Sequence, residues 1–235
     1  MNAPTLSPWA SPILTTRGEP VYRGRVFALG SDTTVPTYEY ERHVEERDGR
    51  QVSTHVTSDL SGAIQIAESA AHSADYALAS YTLHTNQLGE SGGIEVLGDQ
   101  VSFRLTGGTR PRTRVERQPG AVVVGPTLIG YMLHRFEAIE RGTTLRVRLA
   151  VLDRLETIGF DLRAVEAAAE QTRVKMSASS LLIGLLVAPL YFTFETSTKK
   201  LLRLEGRVPP KIRRGNGWSD FDARVEYDFI SARYR

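Results

Sequence analysis

The dipeptide Asp48-Gly49 sits between two runs of alternating apolar and polar residues, TYEYERHVEE before it and RQVSTHVTSD after it. A two-residue type I′ turn needs φ > 0 at both central positions, which Asp and Gly adopt at low cost, so the stretch predicts a β-hairpin. A hairpin closed by a defined turn sets its own register. Arg47 then faces Arg50, Arg42 faces His55, Tyr40 faces Thr57 and Tyr38 faces Asp59. One face carries Tyr38, Tyr40, Arg42, His55 and Asp59. The other carries Glu39, Glu41, His43 and Glu45 beside Val52, Thr54 and Val56, and is expected to meet water.

The same period of two runs through most of the chain. VYRGRVFAL (21–29) precedes the hairpin, and further strands are predicted at 62–69, 74–87, 92–97, 100–106, 111–117 and 120–124, several joined by Gly-rich turns such as GESGG and LGDQ. AESAAHSADYALAS favours helix by its alanines and strand by its surroundings; it is read as strand. The period then changes. In TLIGYMLHRFEAIE (127–140), Leu128, Ile129, Met132, Leu133, Phe136 and Ile139 fall on one stripe, with Pro126 before them and Gly142 after, predicting an amphipathic helix. His134 lies on its polar side, as a surface histidine. Strands resume at 144–153, 157–165 and 172–178.

The most apolar stretch is SSLLIGLLVAPLYFTF (179–194). A membrane-spanning helix needs about 20 apolar residues, and Pro189 interrupts this run before that length is reached. The residue before a proline is pushed out of the α region, so the stretch divides into a helix over 180–187 and a strand whose Leu190, Phe192 and Phe194 share a face. Strands at LLRLEG and ARVEYDF follow. The predicted helix is apolar all round, so something has to cover it: the 127–140 helix, the far wall of a barrel, a second subunit, a membrane surface or a bound apolar ligand.

Together these elements predict a mainly β protein: a large curved antiparallel meander, or a near-closed β-barrel, with two short helices packed on its concave side. Residues 19–235 are expected to form one domain, after a poorly ordered Pro-, Ser- and Thr-containing leader at 1–18. That leader lacks a basic segment followed by an apolar core. On that pattern the chain is expected in the cytoplasm, or in the periplasm if it is a processed form. With 29 basic and 27 acidic residues the net charge is only +2, too small for a general nucleic-acid-binding field, and no nucleic-acid partner is expected. There is no cysteine for a disulfide or thiolate site. The histidine spacing predicts no metal site, and no cofactor is expected.

The succession VVVGPTLIGYMLHRFEAIERG, TLRVRLAVLDRLETIGFDLR and LYFTFETSTKKLLRLEGRVPPKI, over about residues 120–213, resembles an uncharacterised group of bacterial β-sheet proteins. Members of that group are usually exported and are related in shape to lipoprotein-carrier folds. The resemblance implies a strongly curved antiparallel sheet whose concave side could hold an acyl chain.

No motif of nucleophilic, phosphate-binding or metallopeptidase chemistry occurs. Two functions remain. The first is binding of a lipid or other hydrophobic small molecule, lined by Tyr38, Leu128, Met132, Phe136, Leu182, Leu186, Phe192 and Phe194. The alternative is a cofactor-independent isomerase or cyclase, in which Arg42 clamps an oxyanion and His55 or Tyr40, with Asp59 nearby, moves a proton. The apolar helix would also suit a homodimer.

Overall fold

A computed structural model describes residues 20–47, 49–107, 110–118, 120–185 and 187–230. The predicted leader, Asp48 and Leu186 fall outside these. Strands β1 (Tyr22–Ala28), β2 (Tyr38–Arg47), β3 (Arg50–Ser58), β4 (Ile64–His72), β5 (Leu78–Thr85), β6 (Glu90–Leu97), β7 (Gln100–Thr106) and β8 (Arg112–Arg117) form the first half of the meander. A two-residue strand β9 (Val122–Val123) leads into helices α1 (Gly125–His134) and α2 (Phe136–Glu140). Then come β10 (Leu145–Val151), β11 (Glu156–Ala167), β12 (Gln171–Ala178), the short α3 (Leu181–Gly184), β13 (Leu190–Glu195), β14 (Leu201–Arg214) and β15 (Gly217–Phe229).

All fifteen strands belong to one sheet, running from β8 in descending order to β1, then through β15 in descending order to β9. The first and last strands therefore meet in the middle, where Tyr22 pairs with Phe229 and Ala28 with Ala223. Every pairing is antiparallel except β9 with β10. The sheet curls until its outer parts meet through side chains: the Thr157 backbone N–H donates to Glu116 Oε1 at 2.9 Å, and Arg114 lies 3.8 Å from the Glu156 carboxylate. The predicted curved, barrel-like sheet is thus the observed one.

The hairpin register is as expected, with Arg47 opposite Arg50, Arg42 opposite His55 and Tyr40 opposite Thr57. Gly49 has φ of +70°, the conformation the turn requires. On the hairpin's other face the expectation of water fails in part. Val52, Thr54, Val56 and His43 are buried, and Glu41 reaches over to His43 at 3.3 Å.

The alanine-rich stretch is strand only as far as His72; Ser73–Ala77 forms a turn before β5, with Tyr76 at φ +66°. The 127–140 helix exists as two pieces, broken at Arg135, and packs inside the curl against β3, β4 and β11. Its Met132, Phe136 and Ile139 join Leu162, Val174, Phe192 and Phe194 in the main core.

The helix predicted over 180–187 requires correction. Helical geometry covers only Leu181–Gly184, and the side chains of Leu182 and Leu185 are 77% and 84% exposed. The turn bridges β12 and β13, and so short a helix gains nothing that could draw it into the core. It is therefore not covered on all sides.

Candidate functional site

Counting across the meander from β1 to β4, the residues directly opposite one another are Tyr22, Arg42, His55 and Glu68. Direct partners in a ladder share a face, so these four form a row across four strands. The row lies on the concave side, under α1: a Cβ placed on Gly125 would sit 3.4 Å from Glu68 Oε1. Arg42, His55 and Glu68 retain only 4%, 5% and 6% of their surface.

Arg42 is a buried cation with neutral partners. Its Nη1 donates to Tyr22 Oη at 3.0 Å and its Nη2 to Ser53 Oγ at 3.1 Å, while its guanidinium stands 5.5 Å from the centre of the Tyr22 ring. Its Nε is buried without a hydrogen-bond partner, and no carboxylate of the described residues pairs with it. Guanidinium does not lose its proton in proteins, so a full charge resides there.

The network continues through Ser53 to His72 Nε2 at 2.9 Å, while His72 Nδ1 lies 2.8 Å from the Ser73 carbonyl oxygen. A carbonyl can only accept, so Nδ1 carries the proton and Nε2 accepts from the Ser53 hydroxyl. The His72 ring stacks on Tyr76 at 4.8 Å. Tyr76 in turn fills the place of a side chain at position 130, where a Cβ would fall 1.9 Å from its ring. Helix α1 can approach this turn only because residue 130 is glycine.

His55 has an unpartnered Nε2, and its ring stands edge-on to Tyr40 at 4.9 Å. Burial, reinforced by the neighbouring Arg42 and His43, pushes its pKa well below the usual imidazole range, so it is neutral. Glu68 moves the other way: burial raises its pKa to about 7, against the opposing effect of the Tyr81 hydroxyl, which donates to Oε1 at 2.8 Å. Tyr40 and Tyr227 pack with Tyr22 at the end of the row, with ring centres 5.4 to 6.3 Å apart.

Of the four residues read as catalytic, the fold thus brings together Tyr40, Arg42 and His55. Asp59 is elsewhere. β3 ends at Ser58 after a register shift, and the Asp59 carboxylate accepts from the backbone N–H groups of Ser61 and Ala63 at 2.9 and 3.1 Å, bracing the β3–β4 turn. Tyr38 keeps to the concave face but donates to the Lys211 carbonyl at 2.5 Å. Leu128, Met132, Phe136, Phe192 and Phe194 pack into one cluster, where Phe136 meets Phe194 edge-on at 5.3 Å. Leu182 is on the surface, and Leu186 lies outside the described residues. His134 is exposed, as expected.

Sequence reasoning missed Glu68, Ser53, His72 and Tyr81. The signal for Glu68 was a single carboxylate inside the small-residue run IAESAA, one strand beyond a register already known. Among the described residues no cluster of His, Asp and Glu has the form of a metal site.

No protein-family profile and no curated protein sequence matches the chain. Among solved structures it is similar to the crystal structure of a β-barrel-like protein of domain of unknown function DUF1849 from Brucella abortus. The TM-score is 0.51 at 10% identity, over 90% of this chain and 98% of that one. The likeness is one of fold: a bacterial β-barrel-like protein of unknown function shares this architecture.

Proposed function

We propose that the concave face binds a hydrophobic small molecule with an acidic head group, the head paired with Arg42 and the body lying along the tyrosines beside it. The observation that carries this reading is a buried guanidinium with neutral partners and a free Nε, one strand away from the free Nε2 of His55. An uncompensated buried charge costs several kcal/mol, roughly, and an anion bound beside it removes that cost. Tyr22, Tyr40 and Tyr227 offer both apolar ring faces and hydroxyl groups to such a ligand. A relation in shape to lipoprotein carriers would fit the same use of the fold.

The test is displacement of a fluorescent fatty acid by a long-chain acid and by its methyl ester. The acid should compete about tenfold better or more, and Arg42→Met should erase the difference. Protein that binds neither probe nor competitors defeats the reading.

A second reading has one observation in its favour: Glu68, titrating near neutrality, is the cross-strand partner of neutral His55. A carboxyl group at that pKa suits proton transfer in a cofactor-free isomerase or cyclase, with Arg42 holding the developing oxyanion. Solvent deuterium exchange into an enolisable hydrophobic ketone tests it. Exchange no faster with wild type than with Glu68→Gln rules it out.

A further inference from the structure

The strand registers assign each loop to one of two ends of the sheet. The β1–β2, β3–β4, β5–β6 and β12–β13 loops share an end with the tip of the β14–β15 hairpin, because Ala28, Tyr38, Ser58, Ile64, Thr85, Glu90, Ala178 and Leu190 terminate their strands there. Most exposed large apolar side chains of the described residues belong to this end. Leu29 and Val35 are on the first loop, Leu60 on the second, Leu88 on the third, and Leu182 and Leu185 on the fourth. They are spaced around a rim instead of gathered into one flat patch.

The basic component comes from the β14–β15 hairpin, which outruns its neighbours: β13 pairs with β14 only between Leu201 and Glu205. Beyond that point the register shifts between Val208 and Ile212, around Pro209 and Pro210, and the hairpin folds across the end. Gln87 clasps it there. The Gln87 Oε1 accepts from the Lys211 backbone N–H at 2.8 Å, and Nε2 donates to the Lys211 carbonyl at 3.0 Å. Arg207 and Lys211 are paired with Asp220 and Asp222. Arg213 and Arg214 at the tip are exposed and make no ion pair among the described residues, and the Arg213 guanidinium lies 4.7 Å over Trp218.

We propose that this end docks on an anionic lipid surface, with the rim leucines entering the acyl boundary and Arg213, Arg214 and Trp218 at headgroup depth. Singly spaced aliphatic side chains interleave with acyl chains more readily than they complement a folded protein, while Trp and Arg are the residues that favour the interface itself. Asp59 is spent on its turn, while Asp32 on the β1–β2 loop and Asp153 on the β10–β11 loop, which lies at the same end, make no ion pair among the described residues, so the attraction is modest and salt-sensitive. The small net charge of the chain conceals this local arrangement. The inference stands independently of whether the interior holds a ligand.

Co-sedimentation with phosphatidylcholine vesicles, with and without phosphatidylglycerol, tests it. Wild type should bind the mixed vesicles. Leu182→Glu with Leu185→Glu should lower binding at least about tenfold, and Arg213→Gln or Arg214→Gln about fivefold each. Leu97→Glu, at the opposite end, should leave it unchanged. All these positions are exposed, and circular dichroism verifies the fold. Failure of wild type to bind, or equal loss with Leu97→Glu, overturns the proposal. So does sedimentation showing a wild-type dimer that the paired leucine variant dissociates, since the rim would then serve a second copy of the chain.

Discussion

The concave face has two halves built to opposite specifications. Across β10 to β13 it presents Val147, Leu162, Val174, Phe192 and Phe194, all buried against α1 and α2 with no polar atom among their side chains. Across β1 to β5 the same sheet presents Tyr22, Arg42, His55, Glu68 and Tyr81, equally buried but carrying two hydrogen-bonding nitrogens without partners. The first half maximises burial of apolar surface. The second gives up stability to keep a charge and titrating groups out of water, the pattern found where a protein binds or reacts. Apolar burial and buried charge therefore occupy different halves of one surface.

Truncation should separate them most clearly. Phe194→Ala in the aliphatic half should cost about 3–5 kcal/mol in urea unfolding, through lost burial and the cavity left behind. The comparison breaks if that variant keeps its stability.

The pH dependence comes next. Glu68 has its pKa raised from 4.5 to about 7, so its contribution is fully present below pH 4.5 and is lost as pH rises through 7. Relative to wild type, Glu68→Gln should gain about 3 kcal/mol as pH goes from 4.5 to 7 and above. His55 has the opposite sign. Its pKa is depressed, so its contribution is present above 6.5 and lost as pH falls, and His55→Gln should gain on wild type in acid. Unfolding midpoints of the three proteins at several pH values check both slopes; parallel curves would show that neither group is buried as described.

A smaller effect is expected at the boundary between the halves. Gly130→Ala drives a methyl group into the Tyr76 ring, and should cost about 1–3 kcal/mol while disturbing the His72 stack. Arg42→Met should change stability least, with the unfolding midpoint unchanged or raised, because it removes a buried charge that has no counter-ion. A large loss there would mean that the polar half is a stability element too.

The sequence made the local parts of this arrangement readable and left the cumulative parts obscure. Asp48-Gly49 announces a turn, and period-two counting from it places Arg42 opposite His55 correctly. Counting fails where β3 ends: the β2–β3 ladder closes with Glu39 opposite Ser58, and Asp59 lies beyond it, in the turn. Across the next pair the β3–β4 register shifts between Thr57 and Ser58, so counting from that turn does not bring Glu68 opposite His55 or His72 near Ser53. The 180–187 segment misled for another reason: its composition demands cover, and composition does not say whether cover comes from within the chain.

The edge contact between Glu116 and Thr157 has a mechanical consequence. A closed barrel of continuous ladders has a fixed circumference, because widening it means breaking backbone pairs along a whole strand. Here the circuit is completed by side chains: Glu116 on the Thr157 backbone N–H, a looser Arg114–Glu156 pair, and a buried apolar cluster in which Ile94, Val101, Phe103 and Leu105 meet Val122, Ala150, Leu152 and Leu155. Among the described residues the seam is the one join in the wall held by side-chain packing instead of a backbone ladder, so it is where the circumference can change while every ladder stays intact.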